Sequence, residues 1–365
     1  MEATRYQGYQ RGEAHIMTHA DWVVRGNSAA LLAGGALLVL LASSAALAAR
    51  AADAAQGKGE IKPVAPAPAK VELSESDDAI FNRLPKEWRK PDGSFDHDAL
   101  VAHLKKRLEV ISQALPTQLK VAETPHYLVA SDADAGTTSL FVKWCEALYA
   151  NLSVLFALQD SARVWDAKCL LLVIEQRARF DKFAVGMDSH RPNQPAAYFG
   201  VEEYGNDSPA LVKICVCVEG KPLRDLQDLL AHEGTHAFFD LYRKRGGLPL
   251  WLHEGLAEYM ASVNDRTLRG PIVAEASDAG RSGASIRHVF LAQREQGLAQ
   301  EQSSIAMTLV DFLITSGKPK FKKFVDALKD GKNQEAALSA AYGFTLADLE
   351  KRWRIYVVQY LPKQK

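Results

Sequence analysis

A five-residue segment, His232-Glu-Gly-Thr-His236, carries two histidines and a carboxylate at the spacing of a hydrolytic metal site. Residues four apart project from the same face of a helix, so both imidazoles can reach one zinc ion at about 2.0 to 2.1 Å. Glu233 lies one residue round the helix, beside the ion. From there it can take a proton from water that attacks a carbonyl. The segment predicts a zinc site with its own general base.

A catalytic zinc normally takes three protein ligands, and the third is predicted in the run 248–259. Glu254 in this run follows His236 after 17 intervening residues. Two glycines and a proline within 246–249 end the first helix, so the following helix can turn back and pack against it. We therefore expect Glu254 to complete the ligand set.

A second carboxylate on the same helix is predicted to support a ligand. Glu258 lies one turn beyond Glu254 on the same face, so it can accept the outer N–H of a zinc-binding histidine, which we expect to be His232. That hydrogen bond would fix the tautomer of the ring and raise its basicity. The alternative is an exposed helix carboxylate with no role at the site.

The sequences HEGTH at 232–236 and WLHEGLAEY at 251–259 resemble the gluzincin metallopeptidases of the peptidase MA clan, which include thermolysin and the M1 aminopeptidases. The likeness is greatest to their secreted bacterial relatives. The resemblance implies a zinc-dependent peptidase that acts on peptide or protein substrates. It assigns three zinc ligands, a general base and a supporting carboxylate, which are His232, His236 and Glu254, then Glu233, then Glu258.

The sequence departs from the gluzincin pattern at two points. The spacing from the second histidine to Glu254 is one residue shorter than in M1 enzymes. Gluzincins also place a Tyr or His from a later helix over the site to stabilise the oxyanion, whereas Ser303 and Ser304 open that helix here. His288 and Tyr259 are the substitutes considered. A second function therefore stays open, namely a catalytically impaired, zinc-stabilised binding or scaffold module of the cell envelope.

Composition is typical of a globular enzyme and gives no indication of nucleic-acid binding. The chain has 365 residues, of which 47% are hydrophobic and 24% charged, so it can bury a large core. Its 44 basic and 44 acidic residues balance to zero. The short basic cluster at 318–323 is interpreted as a solvated helix face.

The first 50 residues are predicted to be an export leader. No charge occurs between Arg25 and Arg50, and the densest apolar stretch, 31–41, precedes Ala46-Leu-Ala48. This is the layout of a signal peptide, although the uncharged stretch is also long enough for an uncleaved membrane anchor. Met17 would open a more ordinary leader. Either version predicts a periplasmic, extracellular or membrane-anchored protein.

The leader is followed by a predicted linker and one catalytic domain. Residues 51–78 are rich in alanine and proline and bury too little apolar surface to fold, so they are interpreted as a tether. The domain spans 79–365, with an α/β part at 79–223 and a helical part at 224–365.

The pattern of elements predicts an α+β fold. It consists of a small mixed sheet with helices, followed by a mostly helical zincin-like half, with the zinc cleft between the two. Apolar periodicity predicts two helices in the first half, at 98–112 and 137–158. Strands are predicted at 119–130, 169–174, 196–200 and 211–218.

The strand that contains Tyr198 and Phe199 lies just upstream of the zinc helix. Gluzincins place there an edge strand that pairs with the main chain of peptide substrates. We therefore consider both aromatic residues as candidate substrate-binding residues. The alternative is that they are core, as aromatic strand residues often are.

The four cysteines are predicted to be structural. Cys215 and Cys217 share one face of one strand and would be stretched past normal disulfide geometry if they paired with each other. Either can meet Cys169 if their strands are neighbours. Cys145 lies in an apolar helix and is interpreted as core.

Overall fold

The fold is known from a computed structural model. The residues described are 70–159, 162–190, 196–205, 207–244, 246–263, 265–293 and 297–363. The predicted leader at 1–50 and the linker up to residue 69 lie outside them. None of the described helices is long and apolar enough to cross a membrane.

A five-stranded mixed sheet forms the centre of the first half, in the order β1-β2-β3-β5-β4. Strands β2, β3 and β5 run parallel, and β1 and β4 pair antiparallel at the two edges. The buried strands β3 and β5 are apolar almost throughout because both faces of the sheet are covered. The strand bounds are β1 Lys120–Glu123, β2 Tyr127–Ser131, β3 Cys169–Ile174, β4 Ala197–Glu203 and β5 Ala210–Cys217.

Among the described residues, four helices accompany the sheet and eight more follow it in the second half. The first four are α1 Glu75–Asn82, α2 His97–Ala114, α3 Ala135–Leu155 and α4 Arg177–Asp181, the last continued by a π-helix at Lys182–Met187. The second half contains α5 Leu223–Leu241, α6 Leu250–Ser262, α7 Arg266–Ser282, α8 Arg287–Phe290, α9 Gln300–Thr315, α10 Lys318–Lys329, α11 Gln334–Tyr342 and α12 Leu346–Ile355. A π-helical turn at Tyr356–Tyr360 and a 3-10 turn at Leu361–Lys363 follow.

Helix α5 is the junction of the two halves. It packs on β4, β5 and α3 on one side and on α6 on the other, and α6 in turn packs against α9. The α+β prediction is confirmed, with the sheet in the first half and helices after residue 223. Strand β3 has the predicted bounds, and α1 begins at Glu75, inside the segment predicted as linker.

The prediction of one strand across 119–130 was wrong, because the structure has two antiparallel strands there. Thr124 and Tyr127 close the connection between them. The Thr124 amide donates to the Tyr127 carbonyl at 3.0 Å, and the Tyr127 amide donates to the Thr124 hydroxyl at 2.9 Å. Pro125 has no amide hydrogen to continue a ladder. Apolar residues recur across 119–130 on both sides of this turn, so the pattern gave no indication of it.

The cysteines are all buried and free. Strands β3 and β5 are neighbours, but their register places Cys215 opposite Leu172 and Cys217 opposite Ile174. Cys169 lies three positions before Leu172 on β3, out of reach of Cys215. Burial raises the pKa of the Cys169 thiol well above its ordinary value, so it stays a neutral core residue.

A buried ion network supports the edge strand β4 from one face. Arg107 of α2 donates two hydrogen bonds to Glu202, at 2.7 and 2.9 Å, and Lys213 of β5 donates another at 2.6 Å. Lys213 also pairs with Asp188. Burial alone would raise the pKa of Glu202, but Lys213 and Arg107 hold it far below its usual range. Two cations and two carboxylates thus balance each other here.

Because α6 packs closely on α9, substitution of Gly255 is predicted to destabilise the fold. A Cβ there would lie 2.6 Å from the Ala306 carbonyl oxygen, and this backbone atom cannot rotate away. We expect Gly255→Ala to lower the free energy of unfolding by about 1 to 3 kcal/mol. Chemical denaturation measures the change.

Gly280 provides the matched control, since it is also helical and buried. A Cβ there would meet a methyl group of Val357 at 2.8 Å, and that side chain can rotate. The gain in helix propensity, about 0.8 to 1 kcal/mol, also offsets part of the loss. Equal losses for Gly255→Ala and Gly280→Ala would contradict the explanation.

Candidate metal centre

Helix α5 presents the three motif residues in the interior of the protein. His232, Glu233 and His236 are 2%, 1% and 2% exposed. Gly234 allows the helix to approach its neighbours closely. A Cβ at this position would lie 2.5 Å from a methyl group of Leu148 on α3. A small residue inside the motif therefore sets the depth at which the two histidines lie.

Three side chains meet at one point, as the sequence predicts. The Nε2 atoms of His232 and His236 are 3.1 Å apart, and Oε2 of Glu254 is 3.8 Å from the first and 3.6 Å from the second. Tetrahedral zinc with ligand distances near 2.0 to 2.1 Å has ligand atoms about 3.3 Å apart. The sides of the triangle, 3.1 to 3.8 Å, lie around this spacing, so the three atoms could hold a metal ion of this size. Among the described residues, this is the group of three or more His, Cys, Asp or Glu side chains that could hold a metal.

The second helix of the site, α6, begins directly after Pro249, and Glu254 lies in its second turn. Burial by itself would raise the pKa of Glu254, but the charge and hydrogen bond of His236, together with His232, lower it to about 2. Glu254 is therefore an anion at neutral pH. An anionic oxygen facing two imidazole nitrogens is a suitable donor set for a divalent cation.

Glu258 lies behind His232. Its Oε1 atom is 3.4 Å from Nδ1 of His232, which leaves Nε2 of that ring for the metal position. Burial opposes a charge on His232, but the hydrogen bond and charge of Glu258, with Glu233 and Glu254 nearby, raise its pKa to about 9. The carboxylates thus stabilise positive charge at this ring. A bound metal cation would be stabilised by the same carboxylates as the proton is.

Glu233 lies between the histidine pair and strand β4. Burial raises its pKa above the ordinary value, while the charges of His232 and His236 and the backbone amide of Phe199 act in the opposite direction. Neither carboxylate oxygen is hydrogen-bonded to another described side chain. A buried carboxylate with a raised pKa and no side-chain donor is free to accept and return a proton.

His253 is a neighbour of the site that the sequence reasoning did not assign to it. Its ring stacks on His236 with centroids 4.2 Å apart, and its Nε2 lies 3.3 Å from Oδ1 of Asp240. Burial, followed by the charge of His236, lowers the pKa of His253 to about 4. A neutral ring thus supports the ring of His236 from the side. Its position next to Glu254 in sequence gave no signal of this stacking.

The two candidate substrate-binding aromatics lie on opposite faces of β4. The Phe199 ring is 5.4 Å from the His236 ring, on the side of the metal position. Tyr198 is 1% exposed and donates a hydrogen bond to Asp188 at 2.7 Å. Substrate binding stays a prediction for both.

Ser304 stands where the resemblance places an oxyanion-stabilising residue, and Tyr259 and His288 are the substitutes considered. The Ser304 hydroxyl in the first turns of α9 donates to Glu275 of α7 at 2.5 Å, so this position joins two helices. Burial and the charge of Asp311 on α9 raise the pKa of Tyr259. His288 is exposed on α8.

Comparison with known proteins identifies a family match in the region that contains the candidate metal centre. Residues 203–359 match the family model described as the Peptidase MA superfamily. No curated protein matches the chain significantly. The matched segment runs from the end of β4 to the last helical turns and contains both helices of the metal centre. It supports a peptidase of the MA clan, a group of hydrolases that are typically metal-dependent.

Proposed function

We propose that the protein is a zinc-dependent peptidase of the gluzincin type. The observation that carries the proposal is the triangle of His232, His236 and Glu254, whose sides of 3.1 to 3.8 Å lie around the ligand spacing of tetrahedral zinc. When bound, zinc supplies a Lewis acid that polarises the scissile carbonyl and lowers the pKa of water. The match to the Peptidase MA superfamily supports peptides or proteins as substrates.

In the proposed reaction, Glu233 takes a proton from the water that adds to the carbonyl carbon. The same carboxyl group then gives that proton to the amine nitrogen as the C–N bond breaks. The products are a carboxylate and an amine. Glu258 holds the ring of His232 in the tautomer whose Nε2 is unprotonated.

Strand β4 is the proposed support for the substrate backbone. It lies at the edge of the described sheet, paired with β5, and Phe199 places it next to His236. An extended peptide can pair with such an edge through main-chain hydrogen bonds, and this mode accepts many sequences. The ion network of Arg107, Lys213 and Glu202 holds the strand from behind.

We also propose that the protein works outside the cytoplasm, because of the uncharged leader between Arg25 and Arg50. Protein isolated from its native cells should be exported and either begin after the leader or remain membrane-bound through it. Cell fractionation combined with amino-terminal sequencing distinguishes the two forms. An intact leader on a cytoplasmic protein would contradict export.

Metal content tests the ligand set directly. We expect purified protein to contain about one zinc per chain when measured by mass spectrometry. Glu254→Gln should lose it, because the anionic third ligand is removed. Glu109→Gln is the matched control, since Glu109 is an exposed carboxylate on α2 and should leave the zinc in place.

Glu258→Gln is expected to bind zinc about 10- to 100-fold more weakly, because the charge behind His232 is lost. Wild-type protein without any metal after purification and zinc reloading would refute the proposed centre. Loss of metal in Glu109→Gln would show that the assay reports unfolding.

Glu233→Gln separates catalysis from metal binding. The substitution keeps the size of the side chain but cannot take up a proton, so we expect zinc content to be unchanged and peptide cleavage to fall at least about 100-fold. A peptide library with and without chelator provides the assay. Full activity in this variant would exclude Glu233 as the base.

The alternative function, a zinc-stabilised binding or scaffold module, is favoured by one observation. Ser304 is engaged with Glu275 where an oxyanion-stabilising tyrosine is expected. This function predicts that removal of metal lowers the melting temperature while no peptide in the library is cut. The peptidase function predicts cleavage that chelator abolishes.

A further inference from the structure

The two histidines of the metal centre are held in different ways. A histidine ring turns easily about its bond to Cβ, because that torsion has broad minima, so contacts of the ring must fix the direction of Nε2. Glu258 does this for His232, with Oε1 at 3.4 Å from Nδ1. Nδ1 of His236 is buried and has no hydrogen-bond partner among the described residues. The orientation of the His236 ring therefore depends on packing.

His253 of α6 provides the tightest ring contact of His236. The two planes are 21° apart and the centroids 4.2 Å apart. The rings of His232 and Phe199 lie farther away, at 4.7 and 5.4 Å, and are inclined by 87° and 35°. A nearly parallel ring at 4.2 Å blocks the space through which His236 would have to turn. His253 is only 4% exposed, so it cannot move aside into solvent.

Asp240 holds the ring of His253 at a second point. It follows His236 by four residues on α5, so the two side chains lie on one face of that helix. Oδ1 of Asp240 is 3.3 Å from Nε2 of His253. The ring of His253 thus reaches from α6 onto two successive turns of α5 and is in contact with both.

The position of His253 in the sequence connects this contact to the third ligand. His253 directly precedes Glu254 on α6, so a contact that holds His253 against α5 also holds the backbone of Glu254 there. A rotation of α6 relative to α5 would separate Glu254 from both histidines. Among the described residues, the group that could hold a metal consists of His232, His236 and Glu254, which does not support His253 as a fourth ligand.

We propose that His253 is a positioning residue of the metal centre. Its ring holds His236 with Nε2 toward the metal position, and Asp240 holds His253 in turn. The proposal rests on the zinc centre proposed above. It assigns to the packing of two rings, for His236, the task that a carboxylate performs for His232. The aromatic face is then the property required at position 253, and the ring nitrogens matter through Asp240.

Zinc titration against a competing chelator tests the proposal, at a temperature where every variant is folded. His253→Ala removes the ring, so we expect the zinc dissociation constant to rise about tenfold. His253→Phe keeps an aromatic face against His236 and should stay within about threefold of the wild type. Rescue by phenylalanine is the result that distinguishes ring packing from any chemistry of the imidazole.

Cobalt(II) bound in place of zinc provides a spectroscopic measurement that a loss of stability would not change. Its visible absorption bands depend on the arrangement of the ligands around the ion. We expect the bands of His253→Phe to match those of the wild type and the bands of His253→Ala to shift.

His126→Ala is the matched control. His126 also stacks on an aromatic ring, that of Tyr149 with centroids 3.6 Å apart, and its Nδ1 lies 2.7 Å from Glu146. It belongs to the turn between β1 and β2. Its substitution should lower the melting temperature and leave the zinc dissociation constant and the cobalt bands unchanged.

Asp240 is tested in two backgrounds. Asp240→Ala should weaken zinc binding about threefold in the wild type and leave it unchanged in His253→Phe, because phenylalanine offers Asp240 no nitrogen. Equal losses in the two backgrounds would overturn the role of Asp240.

Two results would overturn the role of His253. They are wild-type zinc affinity and cobalt bands in folded His253→Ala, and zinc binding by His253→Phe that is as weak as that of His253→Ala. If His253→Ala does not fold, His253→Leu replaces it, since leucine fills the space without an aromatic face, and binding as tight as in His253→Phe would exclude the stacking. Absence of zinc binding in the wild type would instead refute the metal centre, and this proposal with it.

Discussion

Three carboxylates, the buried Glu233 and Glu258 and the partly buried Glu254, converge on His232 and His236. The strongest charged influences on the ionisation of His232, Glu233 and Glu254 are carboxylates and imidazoles of this cluster, with no lysine or arginine among them. Burying a charge without a partner is costly, so such a cluster must either take up protons or bind a cation. The raised pKa of His232 shows that the carboxylates of this cluster favour positive charge beside them. The packing of α5 and α6 serves to keep this cluster together.

The opposite face of β4 shows how the same fold treats a cluster that needs no ligand. There Glu202 and Asp188 are matched by Arg107 and Lys213, and every one of these ions has an oppositely charged partner in the chain. That network is complete by itself and can hold the strand in place. A single strand thus separates a cluster balanced by Arg107 and Lys213 from one whose basic partners are the imidazoles of His232 and His236.

The grouping of His232, His236 and Glu254 was predictable because its determinants are local. Four-residue spacing on α5 fixes the relation of His232 to His236, and the same spacing on α6 fixes that of Glu254 to Glu258. The residues between the helices needed only to reverse the chain. The α+β order and the buried strand β3 followed from long apolar runs of the appropriate period.

Other features depend on tertiary contacts that sequence patterns do not contain. The face on which Tyr198 lies is set by strand register, and a shift of one residue would reverse it. The stacking of His253 on His236 requires the relative rotation of two helices. Asp228 and Asp265 are 37 positions apart in the chain and meet because α7 begins beside α5. The turn at Thr124 was masked by residues that alternate as a strand does.

Metal binding that only stabilises the fold would not require Glu233, whereas peptide hydrolysis would. A metal held by ligands from two helices binds the folded chain in preference to the unfolded one, and contributes about 2.7 kcal/mol at a concentration 100 times its dissociation constant. A scaffold would gain that stabilisation from His232, His236 and Glu254 alone. Glu233 adds nothing to the ligand set, yet it is buried beside it without a side-chain hydrogen bond. A group kept there against its desolvation penalty is better explained by proton transfer than by structure, and this favours the peptidase over the scaffold.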